Sequence, residues 1–78
     1  MSRTVKSKDG DYEVPTIGEA YYEIQTDKNN AIVSNWIGDG GKIGLNWAKK
    51  ETRRLQKLRN VKLHLVVYPY KPGRAKRL

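Results

Sequence analysis

The chain has 78 residues, a formal net charge of +8 at pH 7, 37% hydrophobic residues and no cysteine. A chain of this length buries only about 60% of the surface that its unfolded form exposes, so we expect a single domain with a thin core. The composition excludes disulfide bonds, cysteine-ligated zinc and thiol nucleophiles. No apolar run approaches a membrane span or a signal peptide, which predicts a soluble, cytoplasmic protein without a membrane partner.

The first predicted element is a β-hairpin over residues 4–14. Asp9-Gly10 is a two-residue turn signal, because a type I′ turn requires positive φ at both central positions. Pairing around this turn places Val5 opposite Val14. The same register sets two lysines opposite two acidic residues, and such cross-strand pairs stabilise a hairpin.

Further strands are predicted over about 19–26, 31–37 and 61–68. Apolar and polar residues alternate in the first and last of these with the two-residue period of a strand, and less cleanly in 31–37. The linker 27–30, Asp-Lys-Asn-Asn, consists of residues that favour turns. The segment 38–44, GDGGKIG, is interpreted as a flexible glycine-rich connection. It lacks the spacing of a nucleotide-binding phosphate loop.

One amphipathic helix is predicted over about 46–60, with Asn46 as its N-cap. On a helical wheel four apolar residues fall within an arc of about 100°, which predicts the side that packs on the sheet. These residues are Trp47, Ala48, Leu55 and Leu58. Glu51 borders this arc, with Arg54 one turn away.

These elements predict the α+β class, with a small antiparallel or mixed β-sheet packed against one helix. Residues 1–70 form the predicted domain. Residues 71–78, KPGRAKRL, have four basic side chains and almost nothing to pack, so they are predicted to form a flexible basic tail.

Charge is distributed unevenly along the chain. Residues 1–44 contain five basic and seven acidic side chains, whereas residues 45–78 contain eleven basic and one acidic side chain. A positive charge gathered in one continuous half indicates a polyanionic partner, and nucleic acid is the first candidate.

The main support for this interpretation is the basic side of the predicted helix. Five cations occupy an outer arc of about 140° with no acid among them, whereas a face selected for solubility mixes both signs. If the helix begins at Asn46, Lys49 and Lys50 lie in its first turn, where the macrodipole disfavours cations by about 0.3–1 kcal/mol each. A phosphate partner would relieve this cost. The predicted phosphate contacts are Lys49, Lys50, Arg53, Arg54, Lys57, Lys62, Arg74, Lys76 and Arg77.

Three tyrosines suggest a possible second type of contact. Tyr21, Tyr68 and Tyr70 are predicted on the sheet side away from the helix, near Lys62 and His64. Aromatic rings among cations are typical of surfaces on which single-stranded bases stack. The alternative is that these rings pack under the N-terminal hairpin.

No arrangement of residues predicts catalysis, a metal site or a cofactor. His64 is the single histidine and has no recognisable Ser or Asp partner in the sequence, so a structural role is expected for it. Acidic residues are scarce in the basic half, where a nuclease would need several around a metal ion. We therefore expect a protein that is not an enzyme.

The sequence predicts a small DNA- or RNA-binding protein that contacts phosphates through the helix face and the tail. The alternative is a non-enzymatic regulator or inhibitor, of the kind encoded by viruses or plasmids, that docks on an acidic surface of a host protein or nucleoprotein. An accessory subunit of a ribonucleoprotein is a third interpretation. The sequence does not distinguish a single-stranded from a double-stranded ligand, and it does not determine the oligomeric state.

Overall fold

The computed structural model describes residues 3–7, 10–14, 17–69 and 76–78. Within these residues the α+β class is confirmed, with one helix packed on a small β-sheet. The elements are β1 Arg3–Ser7, β2 Gly10–Val14, β3 Glu19–Thr26, β4 Ile32–Asp39, α1 Lys42–Arg59, β5 Leu63–Pro69 and β6 Lys76–Arg77.

The main sheet has four strands in the order β4-β3-β5-β6, and every neighbouring pair is antiparallel. Because β4 and β5 are both antiparallel to β3, they run in the same direction with β3 between them. The helix α1 connects these two strands and packs against both. The helix therefore crosses one side of the sheet, and the helix face that points away from the sheet is turned outward.

The core lies between α1 and the sheet. It consists of Ala20, Tyr22, Ile24, Ala48, Leu55, Leu63 and Leu65, all at most 8% exposed. The β3 and β5 members alternate along their strands, because a strand sends every second side chain to the same face. Burying one large aliphatic side chain contributes about 1.5–3 kcal/mol, so this layer fixes the orientation of the helix.

The opposite side of the sheet is also buried, although α1 lies on the other side. Its buried side chains are Tyr21, Glu23, Gln25, His64, Val66 and Tyr68. The strand β1 contacts β5, and β2 contacts β3, so we infer that the β1–β2 hairpin lies against this side. A hairpin layer and a helix layer thus enclose the sheet.

The hairpin has a different register from the predicted one. Val5 pairs with Tyr12, and Arg3 pairs with Val14, which corrects the expected pairing of Val5 with Val14. The expected turn at Asp9-Gly10 was also wrong, since Gly10 belongs to β2. A physical reason is that the predicted register would set residue 4 opposite Pro15, which has no N–H to donate.

The helix begins at Lys42, four residues before the predicted start, and Gly41 occupies the N-cap position. Asp39 Oδ2 accepts a hydrogen bond from the backbone N–H of Gly44 at 2.9 Å and so satisfies part of the helix end. A Cβ on Gly44 would lie 1.8 Å from the carbonyl oxygen of Asp39, so only glycine fits. The expected Asn46 cap was wrong, because the glycine-rich segment forms the first turn.

The chain beyond the helix follows the prediction in part. Asn60 takes a left-handed conformation with φ of 53° and ends α1. In the predicted tail, Lys76–Arg77 pair with Val66 and Val67 as β6, so these two residues extend the sheet. No helix in the described part of the chain is long and apolar enough to cross a membrane.

Candidate nucleic-acid interface

The outward side of α1 is strongly basic. Seven of its 18 residues are Lys or Arg, and Glu51 is its one acid. The side facing the sheet carries Ala48, Thr52 and Leu55, which are buried. The five helical residues predicted to contact phosphates are all exposed on the outward side, and we call them the basic face: Lys49, Lys50, Arg53, Arg54 and Lys57.

Within the basic face, Arg54 is paired with an acid. Its Nε lies 2.7 Å from Glu51 Oε1, and its second terminal nitrogen lies 2.8 Å from Oε2. The hydrogen bond from Arg54 holds the pKa of the Glu51 carboxyl below its ordinary value. Because Glu51 is the one acid of the helix, no acid within α1 remains for the other four cations of the basic face.

The expected dipole cost at Lys49 and Lys50 was wrong. The helix starts at Lys42, so these two residues lie in its third turn. The macrodipole acts mainly on the first and last turns, and its effect on them is therefore small. Mutual repulsion between like charges is the unfavourable effect that remains.

Two helical residues that were predicted to pack on the sheet are largely exposed. Leu58 is 71% exposed, which corrects the expectation that it packs on the sheet. Trp47 is 53% exposed but still meets Trp36 of β4 edge to face, so its predicted contact with the sheet is made in part. Thr52 is buried instead, and its hydroxyl donates to the carbonyl oxygen of Ala48 at 2.8 Å. The small side chains of Ala48 and Thr52 allow close approach to the sheet, which a wheel weighted by hydrophobicity does not detect.

The remaining predicted cations lie away from the basic face. Lys62 is exposed beyond the end of α1, where its carbonyl oxygen accepts from the N–H of Asp27. Arg77 pairs with Val66, on the sheet side away from the helix, and approaches Asp27 Oδ1 at 3.6 Å. Lys76 is exposed on β6 at the sheet edge. Arg74 lies outside the described residues.

The expected stacking surface of tyrosines was wrong for the two rings that the structure describes. Tyr21 is 7% exposed and Tyr68 is 0% exposed, with ring centroids 5.4 Å apart. Both rings lie on the side against which the β1–β2 hairpin packs, as the alternative interpretation predicted. Buried rings have no free face for a base. Tyr70 lies outside the described residues.

His64 belongs to a buried polar network that the sequence did not reveal. Its Nδ1 lies 2.6 Å from Asp27 Oδ1, and its Nε2 lies 3.0 Å from Gln25 Oε1. Gln25 Nε2 in turn donates to Glu23 Oε1 at 2.7 Å. Because His64 is 6% exposed and its ring is held by these partners, the network supports a structural role. No cluster of three metal-binding side chains occurs in the part of the chain that the structure describes.

Comparison with known proteins gave no match: no family model, no curated protein and no solved structure is similar to this chain at a significant level. The functional argument therefore depends on the residues of this chain alone.

Proposed function

We propose that this protein binds nucleic acid through the basic face of α1. The observation that carries the proposal is the exposure of five cations on the outward side of one helix, against a single acid that is already paired with Arg54. The buried side chains of Ala48, Thr52 and Leu55 attach the opposite side of the helix to the sheet. The cations therefore project from a rigid support.

The arrangement suits contact with a phosphate backbone. Lys49, Arg53 and Lys57 are spaced by four residues and form a row along the helix. At 1.5 Å per residue this row spans about 12 Å. Each phosphate that the row neutralises releases counterions, which makes binding favourable and sensitive to salt.

Fluorescence anisotropy with labelled oligonucleotides tests the proposal. Single- and double-stranded DNA and RNA are titrated with the protein at about 50 mM and about 200 mM salt. With four to five phosphates neutralised, log K should fall against log salt with a slope of about −3 to −4.5. Absence of binding at low salt, or affinity that does not depend on salt, contradicts the proposal.

A second candidate function is docking on an acidic protein surface. Ile43 is 82% exposed and Leu58 is 71% exposed on the same helix, and apolar side chains beside cations also suit a protein partner. Purification after nuclease treatment in high salt separates the two functions. If the protein binds nucleic acid directly, the stripped protein binds again when oligonucleotide is added. If it is a regulator, it retains a stoichiometric protein partner and does not bind the oligonucleotide.

A further inference from the structure

Trp47 is the outermost of three aromatic rings that contact one another in sequence from the core to the surface. Tyr22 is 1% exposed in the core, and Trp36 stacks on it with ring centroids 5.3 Å apart and planes 16° apart. Trp47 meets Trp36 edge to face, at 5.2 Å and 84°. These contacts hold the indole of Trp47 in place, although 53% of the residue is exposed.

Cations of the basic face lie beside this indole. Lys50 and Arg54 follow Trp47 by three and seven residues, so all three lie on one flank of α1 in successive turns. Glu51 holds the guanidinium of Arg54 through two hydrogen bonds. Among the side chains that the structure describes, Trp47 is the one aromatic group that is more than half exposed. Glu51 follows Trp47 by four residues on the same flank, and its charge is paired with Arg54, so Lys50 is the cation beside the indole that has no acid of α1 as its partner.

We infer that the nucleic acid bound by this protein is single-stranded, and that an unpaired base stacks on Trp47 while Lys50 contacts a neighbouring phosphate. This inference rests on the proposed function and names its ligand class. Base stacking on aromatic side chains is available to unpaired bases of any sequence. In a duplex both faces of a base are covered by its neighbours, so a fixed surface indole gains little from double strands.

Charge complementarity favours this occupant over an apolar protein surface. An apolar partner that covered Trp47 would also remove water from Lys50, and burying an uncompensated cation is costly. A single strand presents bases and phosphates side by side, so the indole and the cations both find partners. The buried rings of Tyr21 and Tyr68 offer no competing stacking site.

The test compares Trp47→Leu with Trp47→Phe in the full chain. Each variant is titrated into a labelled oligothymidylate of about 20 nucleotides and into a duplex of the same length. Trp47→Leu should weaken single-strand binding by about 5- to 150-fold, which corresponds to the loss of one stacked base. Trp47→Phe keeps an aromatic face and should retain most of the affinity. Neither variant should change duplex binding.

A fluorescence measurement covers the possibility that Trp47→Leu does not fold. In Trp36→Phe, Trp47 is the one remaining tryptophan, and its emission should be quenched by the oligothymidylate and not by the duplex. Unchanged emission, unchanged binding by folded Trp47→Leu, or an equal loss for single strand and duplex overturns the inference while the proposed function stands. Failure of the wild-type protein to bind any nucleic acid overturns both.

Discussion

Arg54 and Glu51 form a two-point ion pair on the exposed side of α1, with nitrogen–oxygen distances of 2.7 and 2.8 Å. The pair has two consequences for the basic face. It fixes the guanidinium of Arg54 in one orientation, and it places the one negative charge of the helix beside the other four cations of the basic face. Glu51 therefore opposes the approach of any polyanion.

Glu51→Gln is expected to strengthen nucleic-acid binding. The substitution removes the acid and releases the charge of Arg54 for a phosphate, so the slope of log K against log salt should steepen by up to about 0.9. The measurement is an anisotropy titration at several salt concentrations.

The matched control is Glu19→Gln, which changes the net charge equally at the start of β3. If Glu51→Gln binds no more tightly than this control, local charge on the helix does not govern binding.

Gly44→Ala is expected to destabilise the fold, although alanine favours helices. The new Cβ would lie 1.8 Å from the carbonyl oxygen of Asp39, so the chain must shift at the start of α1. We expect the free energy of unfolding in urea to fall by about 1–3 kcal/mol, as for other overpacked sites.

Gly41→Ala serves as the control, because its Cβ would meet its nearest neighbour at 3.4 Å. Replacing this N-cap glycine should cost about 1 kcal/mol or less. A Gly44→Ala protein that is more stable than the wild type would contradict the described start of the helix.

Tyr22→Phe is expected to change how stability depends on alkaline pH. Burial, with the nearby charge of Asp39, raises the pKa of Tyr22 above its ordinary value of 10.0, and the hydroxyl donates to the Asp39 carbonyl oxygen. A raised pKa means that the neutral side chain contributes stability that is complete below pH 10.0 and is lost as pH rises through the folded pKa.

At neutral pH, Tyr22→Phe should therefore lower the free energy of unfolding by about 0.5–1.5 kcal/mol. The difference between the two proteins should shrink above pH 10.0, and their comparison cancels the titration of lysines. Urea unfolding of both proteins at a series of pH values measures this difference in the free energy of unfolding. A difference that stays constant into the alkaline range would show that the hydroxyl of Tyr22 is not held in the folded state.

The strands were predictable because their signal is local. Alternation along β3 predicts that Tyr22 and Ile24 share a face, and both lie in the core. The helix was predictable in type but not in start, because Gly44 indicates a loop in the sequence and fits the helix only through its contact with Asp39. Helix propensity is a property of the residue type alone, so it does not account for such a contact.

The candidate site was predictable where exposure follows from helical spacing, and the basic face is exposed throughout. It was not predictable where distant segments meet. Asp27 and His64 are 37 residues apart and become partners when β3 pairs with β5. Likewise, Trp47 looked like a core residue because hydrophobicity alone does not show that Thr52 takes an inner position.

Charge reversal on the basic face tests the proposed function most directly. Arg53→Glu and Lys28→Glu change the net charge equally, but Arg53 lies on the outward side of α1 and Lys28 lies in the turn after β3. Single-strand affinity at about 50 mM salt should fall by more than about tenfold for Arg53→Glu, and the salt slope should decrease by about 1. Lys28→Glu should keep the wild-type slope. Equal weakening by both variants, or wild-type binding by Arg53→Glu, would contradict binding through the helix.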